Sequence, residues 1–222
     1  MAQAALLDLD GTLIDANYHH ALAWYRAFRR FEIVLPMWRL HRHIGMGGDQ
    51  YVAAVAGDEV ERRLGDELRD AHAEEFEPIR DECEPLDGAS DLLDELRHRG
   101  LTLVVASSSG KDDLEYFLEK LGGSEVVDSY TTKDDVGRTK PHPDPIRAAL
   151  EQAGTDDAVM LGDSGWDVEA AAKAGLSTIC VITGGWSEQE LRDAGAAWVF
   201  DSIPHLLENL DETPLREGAP VT

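Results

Sequence analysis

From Pro85 onward, short apolar runs alternate with amphipathic stretches, and nothing else in the chain constrains the fold as strongly. The runs at 101–106 (Leu-Thr-Leu-Val-Val-Ala) and 158–162 (Ala-Val-Met-Leu-Gly) are short, and they lack the polar alternation of a strand with one wet face. Both read as strands covered on two sides. Further strands are expected at 126–130, 177–182 and 197–200, and helices at 88–99, 111–121, 143–153, 166–174, 187–194 and 203–210. Strands separated by helices pair in parallel, because each connection must cross back over the sheet. The expected class is α/β, with a doubly wound parallel sheet between two helical layers.

One more buried strand is expected at 4–9 (Ala-Ala-Leu-Leu-Asp-Leu), and no convincing strand lies between 16 and 84. A helix is expected from about Tyr18 to Phe31, with Tyr18, Leu22, Tyr25 and Phe28 on one apolar face. Pro36 separates it from a second segment, Gly45-Met46-Gly47-Gly48 reads as a flexible loop, and 49–56 and 58–82 read as charged helices. The expected division is a Rossmann-like core over 1–15 and 85–210, with an inserted α-helical cap over 16–84. A loose tail is expected over 211–222, which carries two prolines and three acids.

Ligands bind at the carboxyl ends of strands in an open α/β sheet. There the first strand ends in Asp8 and Asp10, two residues apart and so on one side of the strand. Strand 101–106 ends in Ser107-Ser108-Ser109-Gly110. Strand 158–162 ends in Asp163-Ser164, with Asp167 four residues beyond Asp163. Lys140 stands in the loop before helix 143–153. Clustered carboxylates repel one another unless a cation neutralises them, and a hard cation such as Mg²⁺ suits oxygen ligands plus a phosphate. A lysine and a hydroxyl aimed at the same point suit phosphoryl oxygens, and a carboxylate can form an acyl-phosphate.

Four elements in this order, Asp8-Leu9-Asp10-Gly11-Thr12-Leu13, Ser107, Lys140-Pro141 and Gly162-Asp163-Ser164-Gly165-Trp166-Asp167, resemble the motifs of the haloacid dehalogenase superfamily of phosphohydrolases. The helical insertion resembles the cap of its phosphoglycolate phosphatase and β-phosphoglucomutase branch. The resemblance implies that Asp8 attacks phosphorus and that Asp10 is general acid and base. It implies that Ser107, helped by the Ser108 backbone, and Lys140 bind the phosphoryl oxygens. Gly11 would allow close backbone approach and Thr12 would orient the site. Mg²⁺ would be held by Asp8, Asp163 and the Asp10 carbonyl, with Asp167 acting through water or holding Lys140.

Dehalogenating members lack the second acid, so Asp10 implies a phosphate ester as substrate. Residues 16–84 contain no lysine, which disfavours the Schiff-base chemistry of phosphonate-cleaving relatives. The implied activity is Mg²⁺-dependent hydrolysis of a small-molecule phosphate monoester, with phosphoglycolate as the default substrate and a sugar phosphate as the other candidate. A phosphoglucomutase-like phosphoryl transferase is one alternative, and a non-catalytic phosphometabolite-binding protein is another. In the cap, Arg39, Arg42 and His43 precede the glycine loop, and Arg42 and His43 are candidates for an anionic part of the substrate. Trp166, between two site acids, is a candidate pocket wall. His41 and His43 have no third metal ligand nearby, and Cys83 and Cys180 have no metal-ligand spacing.

Twenty basic residues against forty-four acids give a net charge of −24 over 222 residues, which argues against nucleic acid as a partner. No apolar run approaches the ~18 residues of a membrane span, and the N-terminus lacks a secretory signal pattern, so a cytoplasmic protein with no membrane partner is expected, with monomer and homodimer both left open. The acids are dispersed and lysine occurs only at 111, 120, 133, 140 and 173, which points to a halophilic source. At ~1 M salt the Debye length falls to ~3 Å and self-repulsion is screened. The thermal midpoint is therefore expected to rise steeply between low salt and about 2 M KCl. A flat profile would sink the halophile reading.

Overall fold

In the computed structural model, which describes residues 2–216, six parallel strands form one sheet in the order β3-β2-β1-β4-β5-β6. They are β1 (Ala4–Leu7), β2 (Thr102–Ala106), β3 (Ser129–Thr131), β4 (Ala158–Gly162), β5 (Thr178–Val181) and β6 (Trp198–Phe200). The doubly wound α/β class expected from the alternation is the one observed. All four residues of β1 are buried, which explains why this central strand carries no polar alternation.

The helices are α1 (Asn17–Arg30), α2 (Met37–His41), α3 (Gly48–Ala56), α4 (Asp58–Phe76), α5 (Ala89–His98), α6 (Lys111–Lys120), α7 (Asp144–Ala153), α8 (Gly165–Lys173), α9 (Glu188–Ala194) and α10 (Ile203–Glu208). Alternate strand residues feed opposite layers. Ala5, Leu7, Leu103, Val105, Val159 and Leu161 share a core with residues of α5, α6 and α10. Leu6, Val104, Met160 and Ala106 share another with residues of α7 and α8. Among the described residues, no helix is long and apolar enough to cross a membrane.

Register brings the strand ends level. Leu7 pairs with Val105 on one side and Leu161 on the other, so Asp8, Ala106 and Gly162 lie abreast. Asp8, Ser107 and Asp163 therefore emerge together at the switch point, where the chain has built β2 and β3 on one side of β1 and moves to β4 on the other.

Helices α1 to α4 occupy the stretch between β1 and β2 and pack around their own cluster of Trp24, Phe28, Leu40, Tyr51, Val55 and Leu68. Of the expected face of α1, Phe28 is buried and Leu22 and Tyr25 pack half-buried against the cores, but Tyr18 is 58% exposed; the fully buried positions are Asn17, Ala21, Ala23, Trp24, Ala27 and Phe28. The alanines let α1 lie close along α4, and close approach outweighs the larger area of the tyrosines. The expected helix 58–82 ends at Phe76 and continues as a 3-10 turn over Glu77–Glu82, which contains Pro78.

The glycine run 45–48 is a close-contact element rather than a flexible loop. A side chain on Gly47 would collide with Thr139, and one on Gly45 would meet Ser164 and Trp166. The tail expected to be loose is packed through Arg216. Leu215 is fully buried in the main core, Ala2 N–H donates to the Pro214 carbonyl, and Arg99 donates to Asp211 and to the Leu215 carbonyl. One apolar side chain with a hole to fill outweighs the polar composition around it. The rest of that tail, 217–222, lies outside the described residues. Leu215→Ala is expected to destabilise the protein by about 2–4 kcal/mol in urea unfolding at constant salt. A change near zero would mean that the segment is not part of the cooperative core.

Candidate active site

At the carboxyl end of β1, a fully buried lysine sits between two acids. Lys140 Nζ donates to Asp8 Oδ1 at 2.5 Å and lies 2.8 Å from Asp167 Oδ1. Burial pulls the lysine pKa down, but the Asp167 and Asp8 charges outweigh this and raise it, so Lys140 is a fixed cation.

Asp167 is held by other donors as well. Its Oδ2 accepts from the Ser164 hydroxyl (2.6 Å), the Ser164 N–H (3.1 Å) and the Asp163 N–H (3.4 Å), which forms a capping box at the start of α8. Asp163 lies beside them, with Oδ2 accepting from Asn17 Nδ2 at 2.8 Å and Oδ1 from the Thr12 hydroxyl at 3.3 Å. Thr12 also reaches Asp8 Oδ2 at 3.4 Å. Gly11 turns the chain with φ +84°, and a side chain there would strike Asn17 and Asp163.

Single carboxylate oxygens of Asp8, Asp163 and Asp167 lie within 4.8 Å of one another, all buried. Three carboxylates face one lysine, so the cluster carries surplus negative charge where water is scarce. Burial, first, and the neighbouring Asp charges push Asp8 up to about 7, against the pull of Lys140. Burial and the charges of Asp167 and Asp8 likewise push Asp163 well above the usual carboxylate range. A divalent cation among these oxygens would cancel the surplus, so the donor set fits a hard cation. The carboxylate of Asp10 is not in this group, so of Asp10 only the backbone carbonyl remains a candidate ligand.

Asp10 turns to other partners. Ser109 Oγ donates to its Oδ2 at 2.6 Å, and His20 Nε2 lies 3.5 Å from its Oδ1. Burial alone would raise the Asp10 pKa, but His20 and Ser109 hold it below the usual value. His20 Nδ1 meets His72 Nε2 at 3.3 Å. A neutral His20 that donates from Nε2 to Asp10 must accept at Nδ1, so His72 supplies that proton. His72 is half-buried, and desolvation, with the nearby His20 and Lys133 charges, holds its pKa well below that of a free imidazole.

Asp8 and Asp10 stand in a cavity of about 350 Å³ between helices α1–α4 and the loops after β1, β2 and β3. Trp24, His72, Met46 and Asp49 line it from the helical side, and Ser108, Ser109, Lys133 and Arg138 from the sheet side. Ser107 is buried behind this wall, where its hydroxyl oxygen accepts the Ser109 N–H at 3.0 Å.

The expected cap contacts are elsewhere. Arg42 does not line the cavity. It pairs with Glu190 at 2.7 Å and lies 3.9 Å over the Trp186 ring. His43 Nδ1 donates to the Arg39 carbonyl at 2.8 Å, and its ring stacks near Trp166. Trp166 likewise packs on His43 and Trp186 rather than walling the cavity. His41 donates to the Gly184 carbonyl at 3.0 Å. These basic and aromatic groups fasten α2 to the sheet side, where acids and tryptophans are available to satisfy them. Missed by sequence reasoning were Asn17, His20, His72, Asp49, Lys133 and Arg138. The signal for Asn17 was local, a polar residue opening a helix after an acidic turn; the others depend on which helix faces which loop.

The sequence pattern of the haloacid dehalogenase-like hydrolases matches residues 5–181. The chain belongs to this family. It is 34% identical over 188 residues to pyrophosphatase PpaX of Bacillus velezensis, covering 79% of this chain and 81% of the relative. It is 30% identical over 218 residues to phosphoglycolate phosphatase of Rhodospirillum rubrum, covering 93% and 90%. Among solved structures, a hydrolase from Pseudomonas syringae superimposes with a TM-score of 0.89 at 33% identity, over 95% of this chain and 98% of that one. The family resemblance carried by the four motifs is thereby established.

The surplus charge has a measurable consequence. Asp163→Asn removes one repelling carboxylate and is expected to stabilise the cation-free protein by roughly 1 kcal/mol. It should also abolish any rise in thermal midpoint on adding Mg²⁺. A variant less stable than the parent under chelation would contradict the charge-surplus account.

Proposed function

We propose that the protein is a Mg²⁺-dependent phosphohydrolase of a small phosphate monoester, acting through an aspartyl-phosphate on Asp8. The observation that carries this reading is the pair of acids in one cavity with different partners: Asp8 against the buried Lys140, Asp10 against Ser109 and His20. In the proposed reaction, an Asp8 carboxylate oxygen attacks phosphorus as the ester oxygen leaves. Lys140 and Ser108, a cavity-wall residue whose hydroxyl has no protein partner among the described residues, meet the phosphoryl oxygens, and Asp10 gives the leaving oxygen its proton. Asp10 then takes a proton from water, which attacks the acyl-phosphate and releases inorganic phosphate from Asp8.

A bound divalent cation would supply positive charge that keeps Asp8 ionised and offsets the phosphate charge. An arriving phosphate dianion raises the pKa of Asp10, which moves that residue toward the protonated form an acid needs. Residues 1–15 and 85–210 would serve as catalytic core and 16–84 as a cap that excludes water during transfer. The relatives named above act on pyrophosphate and on phosphoglycolate, which supports a small, strongly anionic substrate; phosphoglycolate and sugar phosphates are the first to test.

Asp8→Asn is expected to lose phosphate release by about 10³-fold or more across a panel of small phosphate esters, assayed with Mg²⁺ at high salt. Retained turnover in that variant would overturn the covalent route. A sugar phosphate converted to its isomer without free phosphate would instead mark a mutase.

A further inference from the structure

The loop that presents Lys140 is fastened from the helical side by one residue. Asp49, in the first turn of α3, accepts the Thr139 N–H on Oδ2 at 3.2 Å and the Thr139 hydroxyl proton on Oδ1. Thr139 is 3% exposed and immediately precedes Lys140, so both of its proton donors are satisfied across the boundary between helices α1–α4 and the sheet side. On its other flank the loop is tied by local and sheet-side contacts, from His142 N–H to the Thr139 carbonyl (3.0 Å) and from Lys173 Nζ to the Pro141 carbonyl (2.9 Å).

Asp49 is itself braced. Gln50 donates to its Oδ2 at 2.8 Å. Arg69, held by Glu61 at 3.0 and 3.1 Å, donates to the Gly48 carbonyl at 3.0 Å. Gly47 lacks the side chain that would push Thr139 away. Chain geometry, glycine placement and an arginine brace therefore all act on one contact, next to the residue whose ammonium must sit between Asp8 and Asp167.

We propose that Asp49 is a positioning residue: it fixes Lys140 through Thr139, so the lysine is fully placed only while α3 lies against the sheet side. The inference rests on the reading that Lys140 serves phosphoryl transfer. An unbraced Thr139 would lose the partners of two buried donors and let the loop shift, and displacements of about 1 Å in an active site can cost ~10²-fold in rate.

The test is steady-state kinetics on a phosphate ester that the parent enzyme hydrolyses. Asp49→Ala is expected to lower kcat by about 10- to 100-fold with KM within about twofold of the parent. Asp49→Asn, whose amide oxygen still accepts from Thr139, should recover most of the loss. Thr139→Val should lower kcat, and combining it with Asp49→Ala should cost no more than Asp49→Ala alone. A role in α3 stability would give additive effects and no selective loss of kcat. Parent-like kcat in Asp49→Ala, or additive losses in the double variant, would overturn the inference. If Asp49→Ala does not fold, Thr139→Val decides alone, and unchanged kcat in that variant overturns it. A parent protein that hydrolyses no ester would instead sink the phosphohydrolase reading.

Discussion

The ammonium of Lys140, sealed between Asp8 and Asp167, is the interaction on which the rest of the site depends. A buried lysine is tolerated only with its charge matched, and Asp8 and Asp167 are the two acids close enough to pair with it directly. The fold supplies those acids from two places. Asp8 follows the central strand, and Asp167 opens α8 after β4, where Ser164 and the Asp163 N–H fix its second oxygen. The sheet register therefore has to be correct to within one residue, because a one-residue slip of β4 against β1 would carry Asp163 and Asp167 off the lysine.

The same cluster holds more negative charge than one lysine can balance. Asp163 is the surplus member, steadied by Asn17 and Thr12 rather than by a cation of the chain. Its neighbours push its pKa up for the same reason that they make the group a good cage for a hard cation. The Asp10 carboxylate lies outside that cluster, although its charge still acts on Asp8. Its carboxylate belongs to Ser109, His20 and, through His20, His72, so its protonation is governed by groups that also line the cavity. Two acids two residues apart thus meet different environments, the arrangement on which the proposed acid–base chemistry rests.

Besides Asn17 and His20 in the site itself, two sets of contacts join the helices inserted after β1 to the sheet side. On one flank, Arg42, His41 and His43 are spent on Glu190, Trp186, the Gly184 carbonyl and Trp166, and fasten α2. On the other, Asp49 reaches the Thr139 backbone beside Lys140, across glycines that permit the approach. Basic residues next to a glycine loop look like substrate contacts in a sequence. In three dimensions Arg42 pairs with Glu190 away from the cavity, whereas the acid Asp49 is among the residues of the cavity wall.

By itself the sequence determined the class of fold, because strand and helix periodicities are local and each apolar run of the central sheet is uninterrupted. It also determined which residues stand at the strand ends, because β1, β2 and β4 stop within two residues of Asp8, Ser107 and Asp163, and it carried the family membership in four short motifs. Tertiary structure decided what depends on contacts between segments far apart in the chain. The stripe of α1 that is buried was set by how closely its alanines fit α4. The order of the tail up to Arg216 was set by a gap that Leu215 fills. His20, His72 and Asp49 were drawn to the site from helices whose own periodicity says only that they are amphipathic. Local pattern fixes which face of a helix is apolar to a first approximation. Only the neighbour it packs against decides where that face points and which of its polar residues reach the chemistry.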